Sequence, residues 1–293
     1  MILKWVDKNL KYIFTLPTII FVLAMILFPL GYTLVLSFFE WGMSNSVPMK
    51  FIGLENYTSL FTDDRFLPAV GRTFYFSAIA LFFEVVLGVS VALFLNREMV
   101  GKNIVKTAFL LPMVATPVAV GLVWTLIYEP TIGIANVIVK AVGLKPLVWL
   151  GSPDTALASL MLVDVWQWTP MVMLVVLAGI SSLSTEPFES AMVDGATKWQ
   201  TLWKVTLPLL RPTIFTAILL RLIDVLKTFD IIYATTQGGP GFATETMNIL
   251  SFRLAFEYFQ FGKASATLVV FFIIVLSIAA IFIKVKNKVE VDY

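Results

Sequence analysis

The sequence contains neither cysteine nor histidine, and only 14% of its 293 residues are charged. Without cysteine the chain cannot form disulfides, use a thiolate nucleophile or bind a metal through sulfur. The lack of histidine removes the commonest metal ligand and the side chain that most readily carries protons near neutral pH. We therefore expect no metal, no cofactor and no catalytic site. The net charge of +2 is also too small to indicate a nucleic-acid partner.

Apolar residues are what the chain has in abundance. They make up 59% of the sequence, and the mean hydropathy of +0.89 exceeds what a water-exposed surface accommodates. They form six runs, each of about 20 residues or more, the length that a helix needs to cross a bilayer. The runs are residues 13–39, 70–95, 107–127, 155–180, 213–235 and 264–283. The expected fold is all-α: a polytopic membrane helix bundle with six transmembrane helices, in one domain over residues 1–293.

Basic residues are shared unevenly between the two sides of this bundle. The N-terminal segment, the 96–106 and 181–212 connections and the C-terminal tail hold twelve Lys and Arg residues, whereas the opposite side holds six. Because connections rich in basic residues stay on the cytoplasmic side, both termini are expected to be cytoplasmic. The first run is too long for a signal peptide and contains Pro17 and Pro29, so we interpret it as a retained span.

The 181–212 connection is a polar, helix-compatible stretch in an otherwise apolar protein. Thr185 is suited to a helix N-cap, and Pro187 is suited to the first helical turn. Gly195 can end that helix or allow another backbone to approach closely. The pattern therefore predicts a short surface helix that ends near Gly195.

A second helical stretch is expected over residues 197–207, and Pro208 and Pro212 are expected to stop it. The two helices present large apolar side chains that either pack on the bundle or fit a groove in a partner protein. These residues are Phe188, Met192, Trp199, Leu202 and Trp203. A simple amphipathic linker is the alternative interpretation.

Residues 189–196 read Glu-Ser-Ala-Met-Val-Asp-Gly-Ala, and Leu207-Pro208 follows. This resembles the EAA loop of ABC importer permeases, whose pattern is E-A-A-x-x-x-G with a Leu-Pro pair further on. Ser190 replaces the usual alanine, one small residue for another. In that family the loop forms a coupling helix that sits in a cleft of the ATP-binding subunit. The resemblance implies an ATPase-coupling role for Glu189, Ser190, Ala191, Asp194, Gly195 and Ala196.

Two further segments indicate which kind of ABC importer permease the chain resembles. Residues 51–57, Phe-Ile-Gly-Leu-Glu-Asn-Tyr, resemble the F-x-G-L-x-N-Y segment of carbohydrate-type permeases. Phe229-Asp230, followed by the Thr-Gln-Gly-Gly-Pro run at 236–240, resembles a stretch of the MalF-like half of these importers. The chain is thus identified as similar to the MalF-like permease subunit of a binding-protein-dependent ABC importer.

The resemblance also implies partners and a location. They are a homologous MalG-like permease subunit, two copies of an ATP-binding subunit, an extracytoplasmic solute-binding protein, and a sugar or oligosaccharide as cargo, in a bacterial inner membrane. The chain itself has no G-x-x-x-x-G-K-[ST] phosphate-binding loop, so ATP hydrolysis is expected on the separate subunits.

Polar residues inside spans are costly and usually mark functional or paired positions. Arg221, Asp224, Lys227 and Asp230 follow one another at three-residue steps in the fifth run, where opposite charges become neighbours on a helix. Such a stripe either contacts the solute or forms ion pairs, within the chain or with a partner permease, and both interpretations stay open. The candidate substrate-pathway residues are Asp164, Gln167, Trp168, Lys227, Asp230 and Tyr233.

Other polar and aromatic residues allow further expectations. Glu84, midway along the second run, is expected to be buried and paired. Trp124 and Tyr128 suit either stacking on a sugar ring or an interfacial aromatic belt. Two rival classes remain. An ion-coupled secondary transporter is disfavoured by the lack of an obvious internal repeat, and an intramembrane enzyme by the lack of a paired acidic motif at a membrane face.

Overall fold

A computed structural model describes residues 2–42, 48–97 and 99–289, which are mostly helical. The short strands β1 (Phe39–Glu40) and β2 (Lys50–Phe51) form one antiparallel pair. Two π-helical turns, Leu202–Thr206 and Arg253–Glu257, continue neighbouring α-helices. The helices are α1 Ile2–Leu36, α2 Glu55–Phe61, α3 Phe66–Leu95, α4 Lys102–Val114, α5 Pro117–Ile127, α6 Ile134–Ala141, α7 Pro153–Ser182, α8 Glu186–Val193, α9 Lys198–Thr201, α10 Leu207–Leu226, α11 Asp230–Thr235, α12 Met247–Phe252 and α13 Phe261–Val289.

Four helices of the described residues are long and apolar enough to cross a membrane, and a fifth span results if the bent pair α4 and α5 counts as one. The four spans are Phe14–Leu36, Phe66–Leu95, Pro153–Ser182 and Phe261–Lys286. The prediction of a multi-pass, helical membrane protein is therefore confirmed. The span expected over residues 213–235 corresponds to α10 and α11, with a break between Leu226 and Asp230. α10 contains Arg211, Arg221 and Asp224 within 20 residues and is not apolar enough to count by composition alone.

The span expected over residues 107–127 is not one continuous helix. α4 and α5 meet at an angle of 99°, and Ala115 and Thr116 between them are extended, with ψ of 143° at both residues. The cause is Pro117, because a proline ring clashes with a helical conformation of the residue before it. The same proline then occupies the first turn of α5, where its missing N–H costs nothing.

The expectation that Pro208 and Pro212 stop a helix is wrong. Helical structure runs without a break from α9 through the π-helical turn into α10, which ends only at Leu226. The π-helical turn shifts the hydrogen bonding just before the prolines, so that the N–H of Leu207 donates to the carbonyl of Leu202. Pro208 then lies in the first turn of α10, where a proline is tolerated.

The contacts group the chain into two compact units, residues 1–66 with 251–272 and residues 67–250 with 273–293. In the first unit, the 51–57 motif holds the β-hairpin. The Asn56 amide donates to the carbonyls of Ser37 and Phe39, both at 2.9 Å. The Tyr57 hydroxyl lies 2.6 Å from that of Ser37. This motif therefore has a structural role in the described residues, since its polar side chains bind backbone and hairpin groups.

A salt bridge in the same unit joins Lys263 at the start of α13 to Asp63 after α2, with Nζ and Oδ2 2.5 Å apart. Partial burial alone raises the pKa of the Asp63 carboxyl. The hydrogen bonds from Lys263 and from the backbone N–H of Arg65, with both positive charges, outweigh it and leave that pKa below its ordinary value of 3.8. Asp63 is therefore ionised at neutral pH, and this fixes the start of α13 next to α2.

In the second unit, α3, α7 and α10 pack closely around buried aliphatic side chains. Two glycines permit the approach: a Cβ on Gly88 would lie 2.7 Å from the Cβ of Val172, and one on Gly179 would lie 2.6 Å from Cγ2 of Thr213. Small residues at helix contacts are typical of membrane bundles, where close packing replaces the hydrophobic effect. The core is formed by Ala92, Leu95, Val172, Met173, Val176, Leu177, Leu210 and Ala217.

Candidate functional site

A buried ionic triad joins the three packed helices α3, α7 and α10. Arg221 of α10 is 1% exposed. Its Nε and Nη2 donate to the two carboxylate oxygens of Glu84 on α3, at 2.7 and 2.9 Å. Nη2 also donates to Asp164 on α7. A charge withdrawn from water is tolerated only when it is paired and hydrogen-bonded, so this geometry explains how α10 accommodates an arginine. The prediction that Glu84 is buried and paired is confirmed.

Two members of the triad, Arg221 and Asp164, line a cavity of about 340 Å³ in the second unit. α10 ends at Leu226 and α11 begins at Asp230, so the chain between them is unwound and lies along the cavity. The guanidinium of Arg221 lies 5.2 Å from the ring centre of Trp168. The lining residues are Pro117, Asp164, Gln167, Trp168, Arg221, Asp224, Lys227, Thr228, Phe229, Asp230 and Ile231.

The charged stripe of α10 is split between two kinds of contact. Arg221 pairs with carboxylates of other helices. Lys227 instead pairs with Asp224, three residues earlier, with Nζ 3.5 Å from Oδ1 and both side chains about half exposed. Within the described ranges, no lysine or arginine lies within ion-pair distance of Asp230, which is exposed at the first turn of α11. Ion pairing therefore accounts for Arg221, Asp224 and Lys227, and Asp230 stays available to a ligand.

Gln167 links the cavity to the bend between α4 and α5. It is 1% exposed, and its Nε2 donates to the carbonyl of Ala115 at 3.1 Å. That carbonyl lies at the bend, where the helix no longer supplies a donor. Oε1 of Gln167 is buried, and no donor of the described residues lies within hydrogen-bond distance of it. A buried, unsatisfied amide oxygen in a cavity wall is the kind of group that a polar ligand satisfies.

The structure brings five of the six predicted pathway residues to this cavity: Asp164, Gln167, Trp168, Lys227 and Asp230. Tyr233 is not among the lining residues, and its ring stacks on that of Phe229 at 5.2 Å. Sequence reasoning missed Phe229 and Thr228, which reach the cavity only because the helix breaks after Leu226. No pattern in the sequence marks that break.

Trp124 of α5 and Tyr128, which follows its last residue, are packed away from the cavity lining. Tyr128 is 3% exposed; its hydroxyl donates to the carbonyl of Ser159 at 3.1 Å, and its ring stacks on Trp149 at 4.9 Å. Trp124 meets Trp166 edge to face at 5.5 Å. Both residues therefore pack at the C-terminal end of α5, and neither lines the cavity.

The 181–212 segment forms a helix, a turn and a second helix. α8 begins after Thr185, whose carbonyl accepts the N–H of Phe188 at 3.0 Å, although its hydroxyl makes no capping bond. Gly195 has a φ of +72°, and the N–H of Ala196 donates to the carbonyl of Ala191 at 2.9 Å, as in a Schellman C-cap. The prediction that Gly195 ends the first helix is confirmed.

The second helix of this segment starts with a capping box. The hydroxyl of Thr197 accepts the N–H of Gln200, and the Gln200 side chain accepts the N–H of Thr197. This pair satisfies two otherwise free donors at the helix start. The direction of the helix that leads into α10 is therefore fixed at Thr197.

The surface of the segment is polar with protruding apolar side chains. Glu189, Ser190 and Asp194 line one depression of about 590 Å³. Ala191, Asp194, Gly195 and Ala196 line a second depression of about 360 Å³. The apolar residues divide: Phe188 and Leu202 are half-buried against the chain, whereas Met192, Trp199 and Trp203 are exposed. α8 has no buried residue at all.

Comparison with known proteins places the chain among transport proteins. A family described as "binding-protein-dependent transport system inner membrane component" matches residues 84–286. The chain is 34% identical to the trehalose/maltose transport system permease protein MalF of Thermococcus litoralis, over 97% of this chain and 95% of that protein. It is 32% identical to the trehalose transport system permease protein SugA of Mycobacterium tuberculosis, over 96% of this chain and 90% of that protein.

A solved structure is similar over the full length. It is the crystal structure of a bacterial ABC transporter involved in the import of the acidic polysaccharide alginate. One of its chains matches with a TM-score of 0.84 and 25% identity, covering 99% of both chains. The fold is thus similar to that of a chain of a solved ABC transporter.

Proposed function

Because the chain belongs to the family of binding-protein-dependent transport system inner membrane components, we propose that it is a permease subunit of an ABC importer. It forms half of the translocation path for a sugar or oligosaccharide. Relatives over nearly the whole chain carry names that refer to trehalose and maltose transport. ATP hydrolysis on partner subunits drives the import, and the chain itself is not an enzyme.

The observation that carries this proposal is one helical connection. From Lys198, in the exposed segment, helical structure continues to Leu226, next to the cavity-lining Lys227. A displacement of the exposed segment is therefore transmitted through a stiff element to Arg221 and the cavity wall. An importer that couples a soluble motor to a membrane path requires such a connection.

The proposed topology has six spans, with the bent pair α4 and α5 as the third and α10 as the fifth. The triad supports this, since Glu84 and Asp164 compensate the charge of Arg221 inside the bundle. Both termini and residues 181–212 then lie in the cytoplasm of a bacterial cell, following the distribution of basic residues. Residues 1–293 act as one permease domain in the inner membrane.

Residues 189–196 are the proposed contact with an ATP-binding subunit, of which the importer has two copies. The exposure of Met192, Trp199 and Trp203 supports a protein partner there, because large apolar side chains that stay exposed are typical of interfaces. A MalG-like permease completes the path, and an extracytoplasmic binding protein delivers the sugar.

The sugar contacts proposed are those of the cavity. Carboxylate and amide oxygens accept hydrogen bonds from hydroxyl groups, and the rings of Trp168 and Phe229 offer flat faces for the apolar side of a pyranose. Asp230 and Oε1 of Gln167 are the acceptors without partners among the described residues. Tyr233 supports the site through Phe229.

The test is uptake by proteoliposomes that contain the chain, the second permease, the ATP-binding subunit and the binding protein. Uptake of a labelled saccharide should require ATP and stop with vanadate. It should continue when an ionophore removes the ion gradients, and it should fail with an ATP-binding subunit that lacks its phosphate-loop lysine. Uptake without ATP that collapsed together with an ion gradient would instead indicate an ion-coupled secondary transporter.

A further inference from the structure

The charged groups that line the cavity do not balance. Three carboxylates, Asp164, Asp224 and Asp230, face it together with two cations, Arg221 and Lys227. Glu84 lies directly behind Arg221 and binds it through both oxygens. The lining therefore carries one negative charge in excess, before the carboxylate of Glu84 is counted.

Each cation of the lining already has a carboxylate partner. Arg221 is buried and binds Glu84 and Asp164 at once. Lys227 is more accessible and lies 3.5 Å from Asp224. If Lys227 turned toward a solute carboxylate, Asp224 would lose its partner, so the excess of negative charge would be unchanged. A carboxylate that enters the cavity consequently meets net repulsion whichever pairs form.

The uncharged groups of the lining suit a polyhydroxylated molecule. Oε1 of Gln167 is buried and has no donor among the described residues. Thr228 contributes a hydroxyl group, and Trp168 and Phe229 contribute rings. Such a mixture binds hydroxyl groups and the apolar faces of sugar rings without requiring charge on the ligand.

We propose that this cavity selects uncharged saccharides and excludes uronic-acid saccharides, and that Asp230 is the main determinant of the exclusion. The inference rests on the proposed function, because it names the class of saccharide for the same site. Asp230 is assigned this role because, of the three carboxylates that line the cavity, it is the one with no lysine or arginine in ion-pair distance in the part of the chain that the structure describes.

The experiment measures binding to the assembled permease and ATP-binding subunits in nanodiscs, without the binding protein, so that only the permease selects. The probes are α- and β-linked disaccharides of glucose, galactose and mannose, each paired with its hexuronate form. The neutral member of at least one pair should bind about tenfold or more tightly than its hexuronate. Asp230→Asn should reduce that ratio several-fold, chiefly by improving hexuronate binding, and high salt should reduce it in the unmodified protein.

A matched control is Asp154→Asn, the same change at an exposed carboxylate in the first turn of α7, away from the cavity. It should leave the ratio unaltered. Hexuronates that bind as tightly as the neutral sugars, or a ratio that Asp230→Asn does not change, would overturn the proposal while leaving sugar import intact. If no saccharide of either kind binds and none is transported, the proposed function itself fails, and this inference fails with it.

Discussion

At the scale of single residues, Arg221 tolerates substitution poorly, because its buried charge is paired with both Glu84 and Asp164. Arg221→Met would leave two carboxylates without a cation inside the bundle. We expect this variant to lose about 3–5 kcal/mol of stability, the usual effect of breaking a buried ion pair from one side. Adding Glu84→Gln and Asp164→Asn should recover much of the loss, since the partners are then neutral as well.

The measurement is thermal unfolding of the purified complex in detergent. Arg211→Met makes the same change on the same helix at an exposed position, and it should shift the transition little. The interpretation would be wrong if Arg221→Met unfolded at the same temperature as Arg211→Met, or if the triple variant were no more stable than the single one.

The sequence predicted part of this arrangement at residue level. Glu84 had to be paired because a lone carboxylate in a span is too costly. Its partner could not be predicted, since the three-residue spacing on α10 favours contact between Arg221 and Asp224, whereas packing of α3 and α7 brings two other carboxylates closer. Partner choice inside a bundle depends on tertiary contacts that no local pattern contains.

At the scale of elements, Gly195 and Gly143 offer a matched pair. Both follow a short helix with positive φ, +72° and +79°. Both are followed by a residue that donates to the carbonyl five positions earlier, at 2.9 and 3.0 Å. A Cβ at either glycine would meet no atom of this chain within 4 Å. The same substitution therefore strains both turns alike.

We expect Gly195→Gln to lower saccharide uptake strongly while the ATPase activity of the complex continues, because the added side chain lies in the proposed contact with the ATP-binding subunit, whereas one at Gly143 does not. Gly143→Gln should keep uptake close to the unmodified level. Both are measured as the ratio of sugar transported to ATP hydrolysed. Equal ratios in the two variants would exclude residues 189–196 as the coupling contact.

The effect of two prolines on helix boundaries could not be predicted from the sequence. Pro117 and Pro208 each occupy a first helical turn, yet only Pro117 follows a sharp bend. Before Pro208, the π-helical turn shifts the hydrogen bonding and lets the helix continue. A single sequence predicts that a proline disturbs a helix, and only the neighbouring structure decides whether the result is a bend or a π-helical turn.

At the scale of the whole molecule, the exposed charges of the cavity imply dependence on a second subunit. Asp224, Lys227 and Asp230 are exposed in the single chain, and lipid cannot cover such groups cheaply. We expect the chain to be degraded when it is produced without the proposed permease partner, with a several-fold lower level in membranes, measured by immunoblot. Replacing the three charges together, as Asp224→Asn, Lys227→Met and Asp230→Asn, should reduce this dependence.

The control for that experiment neutralises three exposed charges in the connection between α5 and α7 and at the start of α7, as Lys140→Met, Lys145→Met and Asp154→Asn. This variant should depend on the partner as much as the unmodified chain does. Equal levels of the unmodified chain with and without the partner permease would contradict the expectation.

The class of the molecule was predictable from the sequence, whereas the cavity was predictable only in part. Separated apolar runs dictate a membrane bundle, and Asp164, Gln167 and Trp168 stand out as polar residues in a span. Thr228 and Phe229 could not be found in this way, because they reach the cavity through the unwound link between α10 and α11. The unwinding of this link depends on how α10 and α11 pack, and no residue type in the sequence indicates that packing.

The π-helical turn at Leu202–Thr206 also sets a rotational phase. Such a turn holds one residue more than an α-helix would use over the same length, and one residue corresponds to a rotation of about 100° around the helix axis. The additional residue thus determines which face of residues 186–201 is exposed when Arg221 points into the bundle. A chain shortened by one residue here would turn residues 189–196 away from the proposed ATP-binding subunit even if the helix stayed unbroken, so the length of this turn is as constrained as its residue types.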